Sequence, residues 1–234
     1  MVLSDFRLKA EDIFDLDQTI TKTIFAGKEF PWEVIPDIQK YIIGRASYLP
    51  SDFERISEFV WVGKGTSIAT DVYIKGPAII GYDCEIRHCA YLRENVILGN
   101  GVVVGNSTEI KNSILFNEVQ VPHFNYVGDS ILGYKSHLGA GAIISNVKSD
   151  KETVKVKGSG EIKQDTGLRK FGALVGNFVE VGCNSVLNPG TIIGQGSIIY
   201  PLTMVRGFVP PEHILKNNNV LVKKTSGFTI PATL

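Results

Sequence analysis

The chain has 234 residues, with 24 Lys+Arg against 24 Asp+Glu, 24 Gly, 3 Cys and 44% apolar residues, enough for one domain with a real core. A net charge of zero without a large basic block gives no electrostatic ground for a nucleic acid or an anionic membrane as partner. The start has no apolar signal region and no run nears the roughly 18 apolar residues needed to cross a bilayer, so a soluble, cytoplasmic protein is expected. Cys84, Cys89 and Cys183 lack the two-residue spacing of redox or zinc pairs and read as reduced thiols, with no metal expected.

Residues 1–60 carry no short repeat. Within them Pro31 to Ile43 predicts a helix near 31–43 that begins at a proline and is ended by Gly44, with Trp32, Ile35, Ile38 and Ile42 at helical spacing. A stacked repeat needs its first coil covered, so this segment is expected to be a cap.

From Val62 every sixth residue is apolar: Val62, Ile68, Ile74, Ile80, Ile86, Leu92, Leu98, Val104, Ile110 and Phe116. The beat stutters near Val121 and Val127, resumes at Leu132, Leu138 and Ile144, breaks over 148–172, and returns through Val175, Val181, Leu187, Ile193, Ile199 and Val205. A period of six suits neither an amphipathic helix nor a two-faced strand, but it suits a solenoid of short strands turning corners. Three hexads make one triangular coil, so Gly63, Gly81 and Gly99, each three hexads after the last, should stack at one corner. An unusual φ there would explain them. The fold expected is mainly β: a parallel β-helix over 61–209, stacked about 4.8 Å per coil.

The same arithmetic stacks Lys75, Arg93 and Lys111 into a basic column. Like charges about 5 Å apart repel, and a phosphate between them would convert that cost into charge-assisted hydrogen bonds. The run Pro122-His-Phe-Asn-Tyr126 falls where the beat slips, which puts His123 and Tyr126 on an irregular turn. Residues 148–170 form an insertion with seven basic and four acidic side chains, either a solvated excursion or an arm over an anionic ligand. The tail, 210–234, reads as loop, with Lys216, Lys223 and Lys224 making it locally basic.

The aliphatic-Gly pairs, such as Val62-Gly63, Ile80-Gly81, Leu98-Gly99 and Val181-Gly182, resemble the motif of the hexapeptide-repeat acyltransferase superfamily. That resemblance implies a left-handed coil and a homotrimer with active sites between neighbouring subunits. Residues 80–207 are more narrowly similar to the acetyltransferase domain of bifunctional N-acetylglucosamine-1-phosphate uridyltransferase/glucosamine-1-phosphate acetyltransferases. They are similar too to archaeal sugar-1-phosphate nucleotidylyltransferase/amino-sugar-phosphate acetyltransferases. In that family an Arg is followed three hexads later by a Lys, two hexads beyond that by a His, and half a hexad further on by a Tyr. Arg93, Lys111, His123 and Tyr126 reproduce those gaps, and Gly139-Ala140-Gly141 and Asn146 follow in place.

The resemblance implies acetyl-CoA as acetyl donor and a hexosamine-1-phosphate as acceptor. Arg93, Lys111 and Tyr126 would hold the sugar phosphate, and His123 would be the general base, a role suited to an imidazole that ordinarily titrates near neutrality. Backbone N–H groups of the Ala140 turn would stabilise the oxyanion. Asn146 would orient the amine or the thioester. Lys155 and the tail lysines are candidates for phosphate contacts. The chain departs from the family at His137, where an Asn contacts the sugar, at Val147, where a Tyr stands, and at Cys183 and Pro201, both at cofactor positions. No Gly-rich nucleotide loop occurs in 1–60, so nucleotide transfer would need a separate nucleotidyltransferase. A non-catalytic sugar-phosphate-binding or scaffold subunit of such an enzyme is the second reading. A zinc hydratase, the third, would need His88, His123 and His137 to converge, yet their separations are not whole numbers of coils.

Overall fold

The computed structural model describes residues 8–157 and 163–225. Short parallel strands wind into a triangular β-helix whose three faces are stacked sheets of nine, seven and nine strands, the longer two including antiparallel end strands. The first face runs from Val60–Gly63 through Ala78–Ile80, Val96–Leu98 and Ser113–Leu115 to Phe208–Val209. The second includes Glu85–Ile86, Val103–Asn106, Gln120–His123 and His137–Leu138, and the third Tyr91–Leu92, Glu109–Lys111, Tyr126–Gly128 and Ile143–Ile144. Residues on the beat point inward. Val62, Ile80, Leu98, Leu115, Leu132, Val175, Ile193 and Val209 form one continuous register row.

The stutter is resolved by that row. Leu115, not Phe116, pairs with Leu98, because the turns 110–115 and 127–132 each advance five residues instead of six. Val121 and Val127 are therefore on the beat, paired with Val104 and Ile110. The two shortened turns lie at the corner joining the third face to the first, where Asn112 and Asp129 take left-handed φ of 46° and 48°.

The stacked glycines have a different cause from the one expected. Gly63, Gly81 and Gly99 do not have positive φ. Instead the coils approach so closely that a Cβ on Gly81 would lie 2.5 Å from the Gly99 carbonyl oxygen. Backbone atoms cannot swing away as a side chain would, so Gly81→Ala is expected to destabilise by about 1–3 kcal/mol, the range of an overpacked interior. A thermal midpoint equal to that of the parent would refute this account.

The N-terminal segment does more than cover the first coil. Phe53–Ser57 pairs antiparallel with Val60–Gly63 and closes that edge. The residues before it run along the outside of the first face: Phe14 and Phe25 pack on Phe116, Trp32 on Phe171, and the Gln18 carbonyl accepts from the Asn117 N–H. Consequently the outward residues Ile79, Ile97, Ile114, Ile131, Leu174 and Ile192 are as buried as the inward ones. Each fully buried aliphatic side chain contributes about 1.5–3 kcal/mol, so this strap is a second layer of the core. The helix expected at 31–43 is split into a 3-10 stretch, Pro31–Asp37, and an α-helix, Ile38–Arg45. Pro36 lacks the N–H that an α-helix through it would need, and Gly44 lies inside the helix.

The insertion leaves after Ile144 and rejoins at Ala173, with an antiparallel hairpin of Lys155–Lys157 and Lys163–Asp165. Val154 and Val156 are fully buried, which holds the arm's root against the later coils. The tail, expected as loop, forms the last coil. His213–Lys216 pairs parallel with Ile198–Ile199, then Val220–Lys223 folds back on it. The Asn217–Asn219 run makes that turn, Asn218 and Asn219 both taking positive φ, a conformation asparagine tolerates.

Candidate functional site

The third face is bounded by two corners, and the candidate residues divide between them. At the corner with the second face, the pairing of Gln120 with His137, and of His137 with Glu180, places His123, Ala140, Cys183 and Pro201 in one column across successive coils. At the corner with the first face stand Arg93, Lys111 and Asn146, with Tyr126 on the strand between. His123 and Asp129 are separated by six residues, up to about 20 Å of extended chain.

The His123 turn is built by a side chain that sequence reasoning missed. Asn125 is 2% exposed. Its amide donates to the carbonyls of Gly139 (2.9 Å) and Ala142 (3.2 Å), while its oxygen accepts from the His123 N–H at 3.1 Å. The turn of one coil is thereby clamped to that of the next, and the Gly141 N–H donates to the His123 carbonyl at 3.0 Å. The imidazole itself is exposed and makes no hydrogen bond or ion pair among the described residues. Of the three N–H groups in the Ala140 turn, those of Gly139 and Gly141 are used between coils. Only the Ala140 N–H donates to no group among the described residues. A single oxyanion donor, rather than a turn of them, is what this corner offers.

The basic column is present but is not bare. Lys75 pairs with Glu94 at 3.3 Å, Arg93 with Glu109 at 3.0 Å and with Glu94 at 3.6 Å, and Lys111 with Asp129 at 3.2 Å. Three carboxylates thus answer three cations, which removes the repulsion expected from stacking. Asp129 is 3% exposed and also accepts from the Asn112 amide at 2.8 Å and from the Asn146 amide. The Asn146 amide further lies 3.3 Å from the Tyr126 hydroxyl. Burial pushes the Tyr126 phenol up, and the nearby Asp129 and Glu109 carboxylates add to this, so it remains a hydrogen-bond donor through neutral pH. Hydrogen bonding to Glu109 holds the Arg93 guanidinium even more firmly charged.

Removing one partner of a buried ion pair leaves the other uncompensated. Lys111→Met is therefore expected to cost about 3 kcal/mol, the lower end of that class because two amides still serve Asp129. Adding Asp129→Asn should recover part of the loss, as read from thermal midpoints. A double variant as unstable as the sum of its parts would show that the pair is not coupled.

An excess of positive charge concentrates elsewhere along the same corner. Lys148, Lys155, Lys157, Lys163 and Arg206 line a cleft of about 500 Å³ between the hairpin arm and the later coils, with Asp150 as an acidic member. Asp150 pairs with Lys148 at 3.0 Å. The tail lysines lie apart from it. Lys216 stands over the Tyr200 ring, and Lys224 pairs with Glu212 and donates to the Gly196 carbonyl. His137 is on the second face, its Nδ1 2.8 Å from Glu180, so the three histidines named for zinc do not converge. No helix among the described residues is long and apolar enough to cross a membrane.

Comparison with known proteins places residues 74–170 in a match to the family model of the GMPPB C-terminal domain. A protein named Bifunctional protein GlmU from Methanococcus vannielii is 38% identical over 138 residues, covering 58% of this chain and 32% of that protein. A Bifunctional sugar-1-phosphate nucleotidylyltransferase/acetyltransferase from Sulfurisphaera tokodaii is 34% identical over 180 residues, covering 75% of this chain and 44% of that protein. The chain thus spans less than half the length of these curated relatives. Among solved structures, WeeI from Acinetobacter baumannii AYE aligns with a TM-score of 0.37 at 15% identity, over 66% of this chain and 57% of that one. With its hexad beat and triangular parallel coils, and with relatives named Bifunctional protein GlmU and Bifunctional sugar-1-phosphate nucleotidylyltransferase/acetyltransferase, the chain is similar to the hexapeptide-repeat acyltransferases.

Proposed function

We propose that the protein is an acetyl-CoA-dependent N-acetyltransferase of a hexosamine-1-phosphate, glucosamine-1-phosphate first and galactosamine-1-phosphate second, acting towards a UDP-N-acetylhexosamine. The observation that carries this reading is the His123 corner: an exposed imidazole on a turn clamped by Asn125, with the Ala140 N–H of the next coil left to donate. The name of the Sulfurisphaera tokodaii relative joins an acetyltransferase to a sugar-1-phosphate nucleotidylyltransferase, which supports acetyl transfer on a sugar.

Acetyl-CoA supplies an acetyl group as a thioester. His123 takes the proton of the acceptor amine as its nitrogen bonds to the acetyl carbon and the C–S bond breaks, and the same proton can return to the departing thiolate. The Ala140 N–H faces the charge that develops on the carbonyl oxygen. Arg93, Lys111 and Tyr126 hold the acceptor's phosphate, which must exchange with Glu109 and Glu94 for the Arg93 fork. Asn146, held by Asp129, fixes the acceptor against Tyr126. His137 borders the sugar, and Cys183 and Pro201 line the path of the donor along the His123 column. The cleft containing Lys155 and Arg206 takes donor phosphates, since its cations outnumber its carboxylate. Because base and clamp occupy opposite corners of one face, the site is completed where the His123 corner of one copy meets the Asp129 corner of the next, as in a homotrimer.

The test is thiol release from acetyl-CoA with a panel of hexosamine-1-phosphates, the unphosphorylated sugars serving as controls. Turnover that requires the phosphate supports the assignment and names the sugar. Absence of turnover with a raised thermal midpoint in the phosphorylated sugars would turn the assignment into that of a binding subunit. Neither effect would overturn both. Arg93→Ala should raise the acceptor KM by about tenfold, the loss of one charge-assisted contact. An unaltered KM would remove Arg93 from the clamp.

A further inference from the structure

The corner that carries His123 gathers, two coils earlier, three side chains of different donor type. Asp71 and Cys89 are three hexads apart in sequence, so the repeat stacks them, and His88 directly precedes Cys89. The Asp71 carboxylate touches His88 Nδ1 and accepts from the Cys89 thiol at 3.4 Å and the Cys89 N–H at 3.3 Å. Donor atoms of all three residues lie within 4.8 Å of one another, and all three residues are exposed. Among the described residues this is the group of His, Cys, Asp and Glu side chains close enough to share an ion.

We propose that Asp71, His88 and Cys89 form a binding site for a divalent transition-metal ion of the zinc class, with water completing a tetrahedron. Zinc takes carboxylate oxygen, imidazole nitrogen and thiolate sulfur at about 2.0–2.3 Å, which sets tetrahedral donors about 3.3–3.6 Å apart. The oxygen and sulfur already stand at that separation. Only the imidazole has to draw back from the carboxylate, and its exposed position leaves it free to turn. One carboxylate, one imidazole and one thiolate are a borderline-soft set that favours zinc or cobalt over magnesium or calcium, which prefer oxygen alone.

Without the ion the Cys89 thiol donates to the Asp71 carboxylate, so the sulfur enters the site as S–H. Binding then replaces that proton by the metal: the S–H bond breaks, the sulfur–metal bond forms, and one proton passes to solvent. The site shares only His88 with the histidine set considered for a hydratase, since His123 and His137 take no part in it. It is independent of the transferase assignment.

The full chain, stripped with a chelator and titrated with Co²⁺, tests the site. One Co²⁺ per chain is expected, with the visible bands of a tetrahedral ion and a thiolate-to-cobalt charge-transfer absorption, displaced on adding Zn²⁺. Cys89→Ser should abolish the charge-transfer absorption, whereas Cys183→Ser, at the other exposed thiol, should leave it intact. His88→Ala and Asp71→Asn should each weaken binding by about tenfold or more, the least expected for a ligand when its hydrogen-bond partners alone are worth that much. All three positions are exposed, so thermal midpoints of the stripped variants should match the parent and separate lost binding from lost folding. Charge-transfer absorption surviving in Cys89→Ser, no such absorption in the parent at millimolar Co²⁺, or parental affinity in both His88→Ala and Asp71→Asn would each overturn the proposal.

Discussion

His123→Ala is expected to lower kcat for acetyl transfer by about 10²–10⁴, the usual worth of a positioned general base, with the thermal midpoint unchanged. The two halves of this expectation come from different atoms. The main chain of His123 holds the turn, through its N–H to Asn125 and its carbonyl to the Gly141 N–H, and an alanine preserves both. The imidazole is outside that network and exposed, so its loss subtracts chemistry and not packing. Asn125→Ala is the contrasting variant. It removes the Asn125 partner of the Ala142 carbonyl and of the His123 N–H and leaves the Gly139 carbonyl with the Ala142 N–H alone, and an unsatisfied group of that kind costs about 1–3 kcal/mol, so it should lower both stability and kcat. Activity of His123→Ala within a few fold of the parent would remove His123 from the base role.

Phe116→Ala should destabilise by about 3–5 kcal/mol. Phe116 occupies the position that Gly63, Gly81 and Gly99 hold in earlier coils, and its side chain leaves the corner to sit between Phe14 and Phe25 at centroid distances of 5.1 and 6.1 Å. It is fully buried, so truncation opens a cavity at the junction of strap and β-helix. The damage should be local before it is global. Hydrogen exchange is expected to quicken first in the amide of Asn117, which donates to Gln18, and in residues 8–30, ahead of the coil interior. Phe124→Ala is the control, since that ring is 59% exposed. A urea midpoint shifted no more by Phe116→Ala than by Phe124→Ala would mean that the strap is not anchored there.

The coil was legible because an inward position has no alternative to an aliphatic side chain, and Ile80, Leu98 and Ile193 advertise that once per coil. The strap was not, because a six-residue beat is silent about outward positions. A signal was nevertheless available in the doublets Ile79-Ile80, Ile97-Leu98, Ile114-Leu115, Ile131-Leu132, Leu174-Val175 and Ile192-Ile193. Adjacent aliphatics on a strand are the pattern of a sheet covered on both sides, and they recur in six coils of the first face, whereas the other two faces carry only scattered doublets such as Val103-Val104, Ile143-Ile144, Val186-Leu187 and Ile198-Ile199. The glycines were read correctly as a stack and wrongly as a φ requirement, since spacing cannot distinguish a conformational need from a steric one.

At the candidate site, the positive column was visible by counting and its neutralisation was not, although Glu94 follows Arg93 and Asp129 lies three hexads after Lys111. Ion pairs across coils depend on which way a corner turns. The one-residue shortening that brings Asn112 against Asp129 emerges only once the register is known. Asn125 was hidden for another reason: a polar residue in an irregular run gives no hint that it is buried.

The strap also imposes an order of events on the newborn chain. Its residues leave the ribosome before the coils they lie on, yet the Asp12 carbonyl accepts from Gln195 and the Ile13 carbonyl from Asn177. At about 5–20 residues per second, synthesis of the intervening chain takes about 10–40 s. Through that interval Phe14, Phe25 and Trp32 have no completed surface to lie on, while the coils behind them can close one at a time by pairing with their predecessors. The strap is thus made before the coils and settles after them, and Phe14, Phe25 and Trp32 stay uncovered until the β-helix is long enough to receive them.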